Sequence, residues 1–327
     1  EEVILRTPSH NLMNKLQQCV LSLYDYDDDP DNTTIDELVL KAMELIAKFP
    51  LLLAYSYAAK KHYIDGESLI IHQPRSDYNT AENILSMIRP DQQFTELEAE
   101  ILDMMLVVHA DHGGGNNSAF ATHVVSSTGT DIYSCISTAL GSLKGPRHGG
   151  ANIKAAEMLR DISEHVENWE SEDEMRAYLQ KILDREAFDH SGLIYGLGHA
   201  VYTKSDPRAR VIKATAKELV RNKDMEEGFA MIEQVERVGG KMLQEKRNLE
   251  YPLPANVDLY SGYVYKMLGI PETLYTPMFA LSRTSGWCAH LLEQIMDEKI
   301  MRPAYLSLRD KRDYEPMEGR VSRVGLT

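Results

Sequence analysis

The chain has 327 residues, of which 43% are hydrophobic and 26% are charged. These fractions are typical of a folded globular protein and argue against disorder or a fibrous repeat. The 50 acidic residues outnumber the 35 lysines and arginines, so the formal net charge is −15. Such a charge repels nucleic-acid phosphates and anionic lipid surfaces. We therefore expect neither a nucleic-acid partner nor a membrane partner.

The longest apolar stretch, residues 49–59, contains polar residues and is too short to cross a bilayer. Three cysteines, Cys19, Cys135 and Cys288, are far apart and lack metal-ligand spacing. This pattern favours buried thiols in a reducing compartment over a disulfide framework. The predicted location is the cytoplasm, with the mitochondrial matrix as an open alternative.

The N-terminal third reads as helices, because apolar residues recur at three- and four-residue spacing behind capping signatures. Two capping boxes begin predicted helices, and they are formed by Thr34 with Glu37 and by Thr95 with Glu98. Pro50 is expected to interrupt the first of these helices, and glycines 113–115 to end the second. Residues 63–72 are a candidate β-hairpin.

The helical pattern continues to residue 298. Further predicted helices cover residues 118–127, 131–143, 151–162, a segment from 171, a segment from 207, 226–247, 258–268 and 276–298. Asp206 and Pro207 read as an N-cap followed by proline in the first turn, where its missing N–H costs nothing. Strand patterns are scarce and no fixed repeat is present. The sequence therefore predicts an all-α fold.

Histidines beside glycines or turn residues are the informative chemical feature. They stand in segments 109–113, 146–150 and 196–199, where glycine permits a ligand to approach the backbone closely. The histidines without such a context are interpreted as ordinary structural residues, and they are His123, His165, His190 and His290.

His148 and Asp258 each lie at the start of a predicted helix. The helix dipole disfavours an imidazolium at His148 and favours a carboxylate at Asp258. A carboxylate opposite a neutral imidazole is the pairing that removes a proton from carbon beside a carbonyl. Asp258 as a simple N-cap stays an alternative. Arg208, Arg283 and Arg302 offer forks for carboxylates, or else form surface ion pairs.

Together these segments resemble the citrate synthase family. The matching strings are residues 109–112, 143–152, 198–202 with 206–208, 256–258, 279–283 and 302–303. Their order and intervals make the match specific, and the similarity extends from about residue 38 to 305.

The resemblance implies a citrate synthase-like fold of two helical domains. The large domain would comprise residues 1–152 and 258–327 and carry the interface of a homodimer. The small domain, residues 153–257, would close over the substrates and exclude water. An N-terminal part present in usual family members is expected to be missing, because His109 occurs early in this chain.

The resemblance also implies a reaction: condensation of acetyl-CoA with oxaloacetate, followed by hydrolysis of citryl-CoA to citrate and CoA. The implied catalytic residues are Asp258 as the base, His148 as the donor to the thioester oxygen and His199 as the group that polarises oxaloacetate. The implied oxaloacetate contacts are His112, Arg208, Arg283 and, from the neighbouring subunit, Arg302. The implied coenzyme A contacts are Gly196, Leu197, Gly198 and Lys204. No metal and no tightly bound cofactor is implied.

Three alternatives stay open on the sequence. A 2-methylcitrate synthase would use propionyl-CoA, and one methylene contributes only about 1–3 kcal/mol of discrimination. A noncatalytic helical module would bind without turnover. A metal-dependent hydrolase would use the histidines and aspartates as ligands, namely His109, Asp111, His112, His148 and Asp258.

Overall fold

A computed structural model describes residues 2–199, 201–311 and 313–317. Its α-helices are α1 (Glu2–Arg6), α2 (Leu12–Ser22), α3 (Ile35–Tyr63), α4 (Thr80–Ile88), α5 (Glu96–His109), α6 (Asn117–Ser126), α7 (Ile132–Leu143), α8 (Ala151–His165), α9 (Glu172–Leu183), α10 (Pro207–Asn222), α11 (Glu226–Arg247), α12 (Val257–Met267) and α13 (Tyr275–Asp297). Two short 3₁₀ helices span Leu23–Tyr26 and Glu272–Leu274. This described part contains no strand, and the predicted all-α fold is confirmed.

The predicted capping box at Thr95 is confirmed, whereas the one at Thr34 is wrong, because Thr34 is the N-cap of α3 but makes no side-chain capping bond. The Thr95 hydroxyl accepts from the Glu98 N–H at 3.2 Å, and the Glu98 carboxylate accepts from the Thr95 N–H at 3.0 Å. The Asp131 side chain caps α7 by accepting from the Ser134 N–H, and the Asp206 side chain caps α10 by accepting from the Arg208 N–H. These bonds satisfy N–H groups that a helix start leaves unpaired.

The prediction that Pro50 interrupts its helix is wrong. Helix α3 runs through this proline without a break from Ile35 to Tyr63. Losing one backbone hydrogen bond and introducing the ring costs about 3 kcal/mol. The flanking Phe49 and Leu53 are both fully buried, and each buried side chain of this size contributes about 1.5–3 kcal/mol. Core packing therefore keeps the helix continuous.

The candidate hairpin at residues 63–72 is also wrong, because the chain there is irregular after the end of α3. Its apolar residues Leu69 and Ile70 stay about two-fifths exposed. A hairpin without a further strand or a helix to cover its face is marginal in water. Helices α1, α2 and α4 were not predicted, although Asn79 and Glu82 form a capping box before α4.

Helix α13 is the centre of the fold. It packs against α3, α5, α6 and α7, and its Trp287 and Arg283 are fully buried. Helices α8 and α10 pack against α12, while α9 packs against α11. The predicted buried thiols are confirmed, since all three cysteines are buried and free. The division into two domains stays a prediction.

None of the helices described is both long enough and apolar enough to cross a membrane.

Candidate active site

Six of the seven residues predicted to act on the substrates meet at one small cavity of about 110 Å³. Those on its wall are His112, His148, His199, Arg208, Asp258 and Arg283. They come from the segment after α5, the turn before α8, the segment before α10, and helices α10, α12 and α13. Arg302 does not line this cavity; it lies exposed in the segment after α13.

His112 and His199 face each other, with their Nε2 atoms 2.9 Å apart. The backbone N–H groups of Val201 and Tyr202 donate to Nδ1 of His199 at 2.9 and 3.0 Å. In a neutral ring the proton of His199 therefore lies on Nε2, where it can be donated into the cavity. Burial lowers the pKa of both rings, that of His112 to about 4, and the positive charge of Arg208 acts in the same direction.

Arg208 is held by Asp206, a residue to which the sequence reading gave only a capping role. Its Nε donates to Oδ1 at 3.1 Å and its Nη2 to Oδ2 at 2.8 Å. Burial alone would raise the pKa of Asp206, but the hydrogen bonds and charge of Arg208 outweigh it and lower that pKa. The sequence signal for this two-bond contact is the position of Asp206 two residues before Arg208, at the start of α10.

Arg283 is a buried cation whose hydrogen-bonding capacity is mostly unused. Its side chain has no exposed surface, and its Nε donates to the carbonyl of His109 at 2.8 Å. Nη1 and Nη2 are buried without a partner in the structure. Burial lowers the pKa of the guanidinium to about 10. A charged fork left unsatisfied beside a cavity is suited to an anionic ligand such as a carboxylate.

His148 is fastened by a hydrogen-bond network centred on Ser118. The Ser118 hydroxyl donates to Asn116 Oδ1 at 2.8 Å, accepts from Trp287 Nε1 at 3.0 Å, and lies 3.1 Å from His148 Nε2. Ser118 has one proton to give. In the structure this proton goes to Asn116; rotating the hydroxyl towards His148 Nε2 would place the proton of the neutral ring on Nδ1, from which it can be donated.

The predicted neutral form of His148 is supported, because burial, followed by the charge of Arg283, lowers its pKa. The sequence motifs assign no role to Asn116 or Ser118. Trp287 carried no signal, since it is 169 residues from its partner.

Asp258 lies in the first turn of α12, and Asn256 is the N-cap residue there. The alternative of a simple N-cap at Asp258 is therefore wrong. The expectation that the helix start favours the carboxylate needs correction, because burial raises the pKa of Asp258 to about 6. Desolvation outweighs the nearby arginine charges. The group is still ionised at neutral pH, with the basicity that a general base requires.

The segment of Gly196, Leu197 and Gly198 places His199 beside Asp258. Gly198 N–H donates to the Pro254 carbonyl at 2.7 Å, and Asn256 N–H donates to the Gly196 carbonyl at 2.8 Å. Gly196 has a φ of +82°, and a Cβ there would lie 2.7 Å from Leu259 Cβ. Only glycine combines this backbone conformation with this close approach.

Lys204 lies in a cavity of about 780 Å³ whose wall also contains Lys213 and the glutamates that pair with it, Glu233 and Glu236. Arg237 and Lys241 lie in the same wall and pair with Glu172. Its Nζ is 4.8 Å from the ring centre of Tyr251. Leu253 and Pro254 form another part of the same wall, and they precede Asp258 by a few residues. The cavity therefore offers cationic and aromatic groups close along the chain to the candidate base.

The metal-hydrolase alternative is not supported. Among the residues described, its five proposed ligands bring no three ligand atoms within 4.8 Å of one another, whereas another group of side chains does. His109 uses Nδ1 to donate to the Met105 carbonyl at 2.7 Å, inside its own helix.

Comparison with known proteins identifies the family. Residues 1–304 match the family model described as citrate synthase, C-terminal domain. The chain belongs to the citrate synthase family. It is 36% identical to citrate synthase 2 of Bacillus subtilis over 98% of this chain and 80% of that protein. It is also 36% identical to the citrate synthase of Haloferax volcanii over 92% of this chain and 73% of that protein.

Solved structures of the citrate synthase family show the same fold. The citrate synthase of Pyrobaculum aerophilum superimposes with a TM-score of 0.76 at 30% identity, over 98% of this chain and 76% of that one. The enzyme of Thermoplasma acidophilum, solved as a ternary complex with carboxymethyl coenzyme A and oxaloacetate, gives a TM-score of 0.76 at 26% identity, over 98% and 79% of the two chains.

Proposed function

We propose that this protein is a citrate synthase that condenses acetyl-CoA with oxaloacetate and then hydrolyses citryl-CoA to citrate and CoA. The observation that carries the proposal is the cavity shared by Asp258, neutral His148 and Arg283, whose two Nη groups have no partner. A base, a neutral hydrogen-bond donor and an anion-binding cation are what this reaction requires.

In the first step the Asp258 carboxylate removes a proton from the methyl carbon of the thioester. His148, with its proton on Nδ1, donates to the thioester oxygen as the enol forms, and this lowers the charge that the oxygen must carry. The basicity of Asp258 lies near the working pH, which favours the proton transfer.

In the second step the enol carbon attacks the keto carbon of oxaloacetate. His199 donates its Nε2 proton to the keto oxygen, a position taken by His112 Nε2 in the ligand-free structure. Arg208 and Arg283 bind the carboxylates of oxaloacetate. Water then cleaves the thioester of citryl-CoA and releases CoA.

The coenzyme A moiety is assigned to the larger cavity beside Lys204 and to the segment 196–198. Lys204 in its wall suits a phosphate, and Tyr251 suits an adenine ring. In this proposal the enzyme needs no tightly bound cofactor, and coenzyme A enters as part of the substrate.

The test is oxaloacetate-dependent thiol release, measured side by side with acetyl-CoA and propionyl-CoA. We expect release with acetyl-CoA, no release without oxaloacetate, and loss of release in Asp258→Asn but not in the exposed control Asp103→Asn. Faster turnover of propionyl-CoA would instead assign a 2-methylcitrate synthase. Stabilisation by oxaloacetate without any turnover would indicate a noncatalytic module.

The functional unit is proposed to be a homodimer in which Arg302 completes the partner's site. This explains why Arg302 lies away from the cavity of its own chain. Asp258→Asn and Arg302→Ala chains, each inactive alone, are expected to recover about a quarter of the activity when mixed, because half the dimers are mixed and each has one intact site. No recovery on mixing would refute the shared site.

A further inference from the structure

Two histidines outside the active-site cavity face each other across the contact between α6 and α13. His123 Nε2 lies 3.1 Å from His290 Nδ1. The side chain of His290 is only 12% exposed. From the sequence both are interpreted as ordinary structural residues. The contact between them was missed because they are 167 positions apart.

The outer nitrogens of the two rings are bound to groups that can only accept. His123 Nδ1 lies 3.1 Å from Gln294 Oε1. The Gln294 amide is fixed in this orientation because its Nε2 donates to the Lys299 carbonyl at 3.1 Å. His290 Nε2 lies 3.0 Å from Asp111 Oδ1. The ring protons therefore lie on these outer nitrogens.

Two neutral rings held in this way direct lone pairs at each other from His123 Nε2 and His290 Nδ1. Such an arrangement is stable when a cation lies between the nitrogens. Their separation of 3.1 Å is close to the edge of about 3.3 Å in a tetrahedral site with Zn–N bonds of about 2.0–2.1 Å.

A third ligand atom is available one helical turn along α13. Glu293 Oε2 lies 3.6 Å from His290 Nδ1, and the ligand atoms of His123, His290 and Glu293 all lie within 4.8 Å of one another. Residues three apart share a helix face, so the pair is preorganised.

We propose that His123, His290 and Glu293 bind a divalent transition-metal ion of the zinc type, with solvent in the fourth position. Two imidazoles and a carboxylate are a donor set that zinc prefers. Asp111 and Gln294 orient the two rings, as carboxylate and carbonyl partners do for metal-bound histidines. The proposal is independent of the catalytic function.

The site has a structural role, since it lies under the loop that carries His112. Asp111 precedes His112 directly and holds His290. A Cβ at Gly114 would be 3.5 Å from His123 Nε2, so the loop lies against the rings. A bound ion would fasten α6, α13 and this loop to one another.

The test uses the full chain after chelator treatment, titrated with Zn²⁺ by calorimetry and with Co²⁺ by visible absorption. We expect one Zn²⁺ per chain, a Co²⁺ spectrum typical of nitrogen and oxygen ligands, and a rise in melting temperature with Zn²⁺. His123→Gln is expected to weaken Zn²⁺ binding by more than about tenfold. The matched control, His165→Gln, removes a half-exposed histidine that also lies beside an aspartate, and it should bind as the wild type does.

Absence of saturable Zn²⁺ uptake by the wild type would overturn the proposal and would mean that a proton alone lies between the rings. Equal affinity in His123→Gln and His165→Gln would overturn it as well. If His123→Gln fails to fold by circular dichroism, Glu293→Gln decides, because the Glu293 side chain is 75% exposed and its loss leaves the core intact. An unchanged affinity in that variant would reject the site.

Discussion

Replacing Arg283 by methionine separates substrate binding from stability. In the ligand-free protein this guanidinium is fully buried and makes one hydrogen bond through Nε, while both Nη groups have no partner. Methionine has a similar length, no charge and a flexible shape that fills irregular space. The substitution therefore removes the anion-binding fork and leaves most of the packing.

The two effects have different sizes. Each charge-assisted hydrogen bond from Nη to a carboxylate contributes about 1.5–3 kcal/mol, so losing two weakens oxaloacetate binding by about 10²–10⁴-fold. Burial lowers the pKa of Arg283 from 12.5 to about 10. This shift corresponds to about 3 kcal/mol of destabilisation of the charged form, fully present at neutral pH because the group stays charged below pH 10. Losing the Nε bond, which is donated by the same charged group, costs about 1.5–3 kcal/mol.

We therefore expect the ligand-free Arg283→Met variant to be as stable as the wild type, or more stable by about 1 kcal/mol. Urea unfolding measures the free energy of unfolding, and calorimetry measures oxaloacetate affinity. Arg160→Met, which removes a half-exposed arginine paired with Glu272, is the control and should retain affinity. An affinity loss below tenfold, or a strong destabilisation of the ligand-free variant, would refute the reasoning.

Three further predictions follow from the site and the core. Asp258→Asn should lower kcat by about 10²–10⁴-fold with little change in oxaloacetate affinity, and wild-type kcat/KM should rise with pH through about 6, where Asp258 ionises. Ser118→Ala should lower kcat by up to about 10²-fold by misplacing His148, which pH-rate and KM measurements distinguish from lost binding. Burial raises the pKa of Glu98, but Arg89 and Lys223 outweigh it and lower that pKa to about 2. The ionised Glu98 carboxylate therefore stabilises the fold above pH 4.5, and this stabilisation is lost as the pH falls towards 2. Glu98→Gln should reduce the loss of stability at acid pH, measured by urea unfolding.

The sequence predicted most of the helices correctly because the interactions that begin a helix involve residues close together in the chain. The capping residues Thr95, Asp131 and Asp206 satisfy N–H groups within three residues of themselves, so a short string contains the whole interaction. Pro50 shows the limit of this approach. Its helix continues because of side chains packed from elsewhere in the core, which periodicity around the proline does not reveal.

The candidate site shows the same division. The motifs that contain histidine, arginine and Asp258 indicated six residues that the fold brings to one cavity. The groups that orient them were missed, because the bond between Trp287 and Ser118 and the contact between His123 and His290 join distant parts of the sequence. The raised pKa of Asp258 was missed for a related reason, since desolvation depends on everything that surrounds the carboxylate.

The pairing of Leu197 with Ala255 joins the backbone that carries His199 to the backbone that carries Asp258. His199, which activates oxaloacetate, and Asp258, which activates acetyl-CoA, are thus held by one hydrogen-bonded backbone unit. A shift of either residue is expected to move the other. Arg283 belongs to a different helix. Laboratory evolution towards another keto acid should therefore change the carboxylate contact at Arg283 rather than this unit, and it should retain Trp287 of the same helix, because Trp287 binds the Ser118 hydroxyl that lies beside His148.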